Sequence, residues 1–210
     1  MSLNTLVALI EKLRSSEVSE LVARKIKEFE DLGEADNKDW FSELCFCILT
    51  ANSTAKLGLK IQREIGDGFL TLPKEALVRK LKRLGHRFYN RRADFIIAAR
   101  KYDNIKDIIM KFSNARRARE RLARNVKGIG YKESSHFLRN VGFDDVAILD
   151  RHILALIREH GLIERVPKTL TRRRYLEIEG KLKEVAEKTG LSLAELDLYL
   201  WYMKTGKILK

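Results

Sequence analysis

Apolar residues recur at steps of three and four along nearly the whole chain: Val18, Leu21, Val22, Ile26 and Phe29; Ile105, Ile108, Ile109 and Phe112; Leu182, Val185 and Ala186. Those steps return a side chain to the same face of an α-helix, so the pattern predicts amphipathic helices throughout. Leu6, Leu9, Ile10 and Leu13 predict another over Met1–Ser16, which lacks the basic start and continuous apolar run of a signal peptide. Trp40 to Ala51 (WFSELCFCILTA) departs from the pattern. It is apolar nearly all round, which marks a helix covered on every side and the centre of a core. Val146 to Leu149 is too isolated to find a sheet partner and reads as the lead-in to a helix beginning near Asp150. Pro73 and Pro167 fall between helical stretches, and Gly33, Gly85, Gly142, Gly161 and Gly190 are read as helix stops. The expected fold class is all-α, without a solenoid repeat.

Composition narrows the class. With 210 residues, 45% hydrophobic and 34% charged, the chain has enough apolar material for a core and too much for a disordered polymer. No apolar run approaches the roughly 18 to 20 residues that span a bilayer, and the densest one is interrupted by Glu43. Cys45 and Cys47 lie two apart on a predicted helix, about 200° apart around its axis, so they cannot readily pair. Two cysteines are too few for an iron–sulfur cluster, and His86, His136, His152 and His160 lack zinc-type spacing; the expected setting is a reducing cytoplasm. The 42 Lys and Arg outnumber 29 Asp and Glu, leaving a formal charge of +13. An excess of this size points to a polyanionic partner, with nucleic acid leading, because neutralising phosphates releases counterions. A densely charged surface of the heat-adapted kind would account for the number of charges and the single glutamine, Gln62, but not for their imbalance.

Candidate chemistry concentrates in Asn125 to Gly142 (NVKGIGYKESSHFLRNVG) and in AILDRHI at 147–153. Gly128 and Gly130 flank Ile129 just ahead of a helical pattern, where glycine permits backbone conformations and close approaches that a Cβ would block. The amides at such a helix start suit a phosphate, the logic of a helix-hairpin-helix, here about residues 117–142. A turn of this kind also serves simply to join two packed helices. Lys132 stands in the first turn of the second hairpin helix, and Asp150 follows 18 residues later. An amine nucleophile beside a carboxylate suits Schiff-base chemistry. Burial would favour the neutral amine while the carboxylate would oppose it. Read locally, Lys132 is equally a surface charge or phosphate contact, and Asp150 equally a helix N-cap.

Gly128-Ile129-Gly130-Tyr131-Lys132, followed by Leu149-Asp150-Arg151-His152, resembles the signature of the helix-hairpin-helix base-excision DNA glycosylases that include endonuclease III. With LTANST at 49–54, GHRFYNRRA at 85–93 and DLYLWYMKTGKILK at 197–210, the chain resembles the archaeal-type 8-oxoguanine DNA glycosylase/AP lyases from about residue 40 onward. The resemblance implies two helical subdomains with an active-site cleft between them. One is a central bundle over 40–149 carrying the hairpin; the other is formed by 1–39 together with 150–210. It implies a bifunctional enzyme that flips 8-oxoguanine out of the duplex, cuts its glycosidic bond and nicks the strand by β-elimination.

The same resemblance assigns roles to residues. Lys132 would be the nucleophile and Asp150 the catalytic carboxylate. Phe88 and Trp201 would sandwich the flipped purine, and the terminal carboxylate of Lys210 would meet its Watson–Crick edge, so a C-terminal tag should impair recognition. Asn52 would fill the void in the duplex, Arg87 would contact the estranged cytosine, and Lys127, Gly128 and Gly130 would grip the DNA backbone. Taken locally, Asn52 is an ordinary helix-ending residue, His86 to Arg92 a solvated turn, Trp201 a core residue and Lys210 a frayed end. The cysteine-cluster loop of the endonuclease III relatives is missing, so no iron–sulfur cofactor is expected. Carbonyls near Lys127 to Gly130 could hold a structural Na or K ion, which neither pattern nor charge demands. The expected partner is duplex DNA with 8-oxoguanine opposite cytosine, bound by a monomer without any membrane. A glycosylase for another lesion, or a duplex-binding module without chemistry, would share the same hairpin.

Overall fold

The structure is a computed structural model and describes residues 2–210. Among these residues all regular structure is helical. The order is α1 (Leu3–Arg14), α2 (Val18–Glu34), α3 (Asn37–Thr50), α4 (Ala55–Ile65), α5 (Gly68–Thr71), α6 (Lys74–Arg83) and α7 (Tyr89–Ala99). It continues with α8 (Ile105–Ile109), α9 (Ala115–Asn125), α10 (Tyr131–Asn140), α11 (Arg151–Glu159), α12 (Arg172–Thr189) and α13 (Leu193–Thr205).

Polar side chains set the starts of these helices by accepting from backbone N–H groups that have no partner within the helix. Asp36 caps α3, Thr54 caps α4, and Ser192 caps α13 in a reciprocal capping box with Glu195. Pro73 stands at the head of α6. Gly85, Gly142, Gly161 and Gly190 follow the ends of α6, α10, α11 and α12 with φ of +86°, +92°, +73° and +62°. Gly33 differs from the expectation: it lies inside α2, one residue before the end. A Cβ there would stand 2.9 Å from the Val141 carbonyl oxygen, so Gly33 admits a neighbouring backbone and stops nothing.

The apolar faces gather into distinct cores. The first centres on α3, whose Trp40, Phe41, Leu44, Phe46, Ile48 and Leu49 are all buried, and is completed by α4 to α10. Trp40 also donates its indole N–H to the Leu32 carbonyl at 2.9 Å. The second core is built by α1 and α11 to α13. The strand-poor lead-in divides between them: Val146 packs in the first core, Ala147 and Leu149 in the second. Helix α2 lays Val18, Val22 and Phe29 against Leu198 and Tyr199 of α13. Two buried ion pairs cross from one core to the other, Arg119 of α9 with Glu179 of α12 and Arg139 of α10 with Asp197 of α13. No described helix is long and apolar enough to cross a membrane.

Candidate active site

Helices α9 and α10 form the hairpin, joined by the turn from Val126 to Gly130. Buried Ile129 anchors this turn in the first core, leaving Lys127 and Gly130 exposed at its tip. The two glycines are not equivalent. Gly128 has φ +92°, and a Cβ on it would overlap the Phe95 ring. Gly130 has φ −110°, and the nearest atom to its would-be Cβ is Glu133 Oε2 at 3.6 Å, so neither strain nor space requires glycine there. The Gly130 N–H donates to Glu133 Oε2 at 3.2 Å, which means that a carboxylate of the protein itself occupies this helix start.

Lys132, His136 and Arg139 fall at i, i+4 and i+7 on one face of α10, and that face lines a cavity. Across it lie Asp150 at the start of α11, Asp197 and Trp201 at i and i+4 on α13, and the segment ending in Leu209 and Lys210. Thr50 and Ser53 complete the rim from the end of α3. The structure thus brings Lys132, Asp150, Trp201 and Lys210 to one cavity where residues of the two cores meet. It does not bring Phe88, Arg87 or Asn52 into the lining. Phe88 is 37% exposed, and the Arg87 guanidinium lies 4.5 Å over its ring. Asn52 is exposed beyond α3, with φ +59°.

The carboxylate ion-paired with Lys132 is that of its neighbour Glu133, whose Oε1 lies 3.2 Å from Nζ. Asp150 uses Oδ1 to accept from the backbone N–H groups of His152 and Ile153, both at 2.8 Å, which starts α11 and fixes the carboxylate at the cavity. It is therefore an N-cap and a cavity residue together. His152 sets its ring edge-on to Trp201, with centroids 5.2 Å apart. His86, buried, contacts the Leu49 carbonyl through Nε2 at 3.0 Å and accepts the Phe88 N–H at Nδ1 at 3.2 Å, which pins the turn carrying Arg87 and Phe88.

Several groups here lie inside the quoted sequence blocks without a role having been read for them. Arg139 donates to Asp197 Oδ2 at 2.5 Å and to Asn140 Oδ1 at 2.8 Å. Burial pushes the Asp197 carboxyl up to about 6 against the pull of Arg139, with the Asp150 charge adding to the rise. Burial holds His136 well below the usual histidine range, and the positive charges of Arg139 and Lys132 act in the same sense. Helical periodicity of polar residues on α10 was the available signal for His136 and Arg139. Asp197 and Glu133 carried none.

The second helix of the hairpin thus directs a lysine into a cavity facing an N-cap aspartate, the arrangement that the resemblance to the base-excision glycosylases implies. The profile of the 8-oxoguanine DNA glycosylases matches residues 22–191, and the chain belongs to that family. It is 58% identical over 205 residues to the 8-oxoguanine DNA glycosylase/AP lyase of Methanocaldococcus jannaschii, covering 98% of this chain and 99% of that protein. Against the protein of the same name from Korarchaeum cryptofilum it is 50% identical over 211 residues, covering both chains completely. The crystal structure of the M. jannaschii glycosylase/lyase in complex with a 15mer DNA containing 8-oxoguanine superposes with a TM-score of 0.97 at 58% identity, covering 98% of this chain and 100% of that one. The Thermotoga maritima 8-oxoguanine DNA glycosylase gives 0.93 at 46% identity, covering 99% and 100%.

Proposed function

We propose that this protein is a bifunctional enzyme that excises 8-oxoguanine from duplex DNA and then nicks the strand through a Schiff base on Lys132. The observation that carries the reading is the convergence of Lys132, Asp150, Trp201 and Lys210 on one cavity beside the hairpin. Family membership and the named activity of near-identical-length relatives support it. The hairpin tip, with exposed Lys127 and the turn glycines, grips the backbone, a phosphate taking the place of Glu133 at the Gly130 N–H. The damaged nucleotide turns out of the stack into the cavity, where Trp201 offers one aromatic wall. Phe88, exposed on the turn held by His86, is the candidate for the other wall, with Arg87 and Asn52 left to the gap in the duplex.

Lys132, as the neutral amine, attacks C1′ while the C1′–N9 bond breaks, and its electrons leave with the base, which takes up a proton. The Asp150 carboxylate, fixed by its two backbone bonds, stabilises the positive charge that develops on the sugar. The attached nitrogen loses a proton, and its lone pair then expels the ring oxygen O4′, which takes up a proton as the C1′–O4′ bond breaks and leaves the Schiff base. Removal of a C2′ proton then expels the 3′-phosphate and breaks the strand. We place this work on cytoplasmic DNA, by a monomer needing no metal or iron–sulfur group for the chemistry.

The test is borohydride trapping on a duplex with one 8-oxoguanine opposite cytosine, beside undamaged and oxidised-pyrimidine duplexes. An adduct on the 8-oxoguanine duplex that disappears in Lys132→Gln while duplex binding persists is the expected result. An adduct confined to the pyrimidine duplex overturns the substrate, and binding without any adduct overturns the chemistry.

A further inference from the structure

Glu43 is the charged residue among the buried positions of α3, which run from Trp40 to Thr50, and its side chain is 1% exposed. Its carboxylate accepts from Asn140 Nδ2 at 2.6 Å and from Gln62 Nε2 at 3.1 Å, and it is ion-paired with the Lys210 ammonium. That ammonium also lies 3.4 Å from Gln62 Oε1 and 5.2 Å over the centroid of Phe46. Phe46 stands edge-on to His136 of the cavity, at 5.6 Å. A carboxylate, a carboxamide and an aromatic face, all supplied by α3 and α4, therefore form a socket for one lysine side chain that arrives from the other core.

The route of the chain gives the socket its consequence. Helix α13 ends at Thr205, Gly206 turns the backbone with φ +67°, and residues 207–210 then run without regular structure. Leu209 and Lys210 line the cavity that holds Lys132 and Asp150, while the Lys210 side chain continues past it to Glu43. A carboxylate this deeply buried is costly unless a cation reaches it, and among the described residues its ion-pair partner is Lys210. The cost of leaving Glu43 unpaired thus pulls the segment over the cavity and holds it there.

We infer that Glu43, with Gln62 beside it, is a positioning residue: it seats Lys210 so that residues 207–210 form a fixed wall of the base pocket, and excision of the damaged base depends on that seat. The inference rests on the glycosylase reading above. Neither Glu43 nor Gln62 lines the cavity, so both act through Lys210. The seat serves the step in which a base is recognised. A strand already lacking its base has nothing for this wall to meet, so the two steps should part.

The experiment measures single-turnover rates of base excision on 8-oxoguanine duplex and of nicking on duplex with a preformed abasic site. It compares the full-length protein with Glu43→Gln and Gln62→Leu. Glu43→Gln is expected to lower the ratio of excision to nicking about tenfold, the scale on which small misplacements of a reacting group are felt. Gln62→Leu, which keeps the ion pair and is safer for folding, should lower it about threefold. Hydrogen exchange of amides 207–210 should quicken in Glu43→Gln while α3 stays protected. An unchanged ratio in both variants overturns the proposal, as does a parallel loss in both steps, the mark of a merely structural role. If the wild-type protein excises no 8-oxoguanine, the glycosylase reading is what fails, and the exchange of residues 207–210 still decides whether Glu43 seats them.

Discussion

Asn52 shows what a single backbone angle can reserve for one side chain. With φ +59° it is the non-glycine residue in the left-handed region among those described, a conformation that asparagine tolerates better than most residues. Its neighbour Ala51 accepts a hydrogen bond from buried Arg92, which fixes where the turn leaves α3. Asn52→Ala should therefore cost about 1 kcal/mol of stability, and Asn52→Gly should cost little or nothing, as read by melting curves. If Asn52 fills the gap left by a flipped base, both changes should slow excision alike despite their different stabilities. Lys132 and Asp150 were legible in the sequence because a hairpin signature placed one and a helix start placed the other. Glu43 was legible only as the interruption in an apolar run. Its partners Asn140, Gln62 and Lys210 lie 97, 19 and 167 residues away in sequence, and no local pattern joins them. Glu133 stands next to Lys132 in the chain, and no pattern marks it as the lysine's ion-pair partner.

At the level of elements, the hairpin turn makes a sharp distinction between two glycines that look alike in sequence. Gly128→Ala should destabilise the protein by about 2 to 4 kcal/mol, since the new methyl overlaps Phe95 and the residue must hold φ +92°. Gly130→Ala, in open space with negative φ, should be accepted within about 0.5 kcal/mol. Denaturant unfolding of the two variants checks this, and equal losses would mean that the turn has another conformation. The helices themselves were readable from spacing because a period near 3.6 survives wherever one face is buried. Their grouping was not. Which faces meet depends on close approaches such as Gly33 against the Val141 carbonyl, and a glycine near a helix end looks the same whether it ends the helix or makes room for a neighbour. The placement of Phe88 outside the cavity lining also lay beyond periodicity, because it concerns a surface turn pinned by buried His86.

Over the whole molecule, the surplus of 13 positive charges sets how binding responds to salt. Log affinity for undamaged duplex should fall linearly with log salt, and removing Lys127 at the hairpin tip should lower the slope by about one phosphate contact. Acid acts through the interior. The folded state resists protonating His136, whose pKa lies below its unfolded value, so that contribution is complete above pH 6.5 and is lost as pH falls. Stability should drop by up to about 1.4 kcal/mol per pH unit from this residue once the pH is below 6.5. Asp197 has the opposite sign, since its raised pKa favours the folded state below about 6, as the carboxyl takes up its proton. Melting temperatures of wild type, His136→Gln and Asp197→Asn across pH 5 to 7.5 separate the two: the first variant flattens the acid fall, and the second steepens it.

The two ion pairs that cross between the cores, Arg119 with Glu179 and Arg139 with Asp197, are held out of water. Hydration of charged groups carries a strongly negative entropy, so the penalty for dehydrating these four side chains shrinks as temperature rises, while apolar burial gains little more. The seam between the cores, and the lysine and aspartate brought face to face across it, is thus clamped by the kind of contact that loses least in hot water.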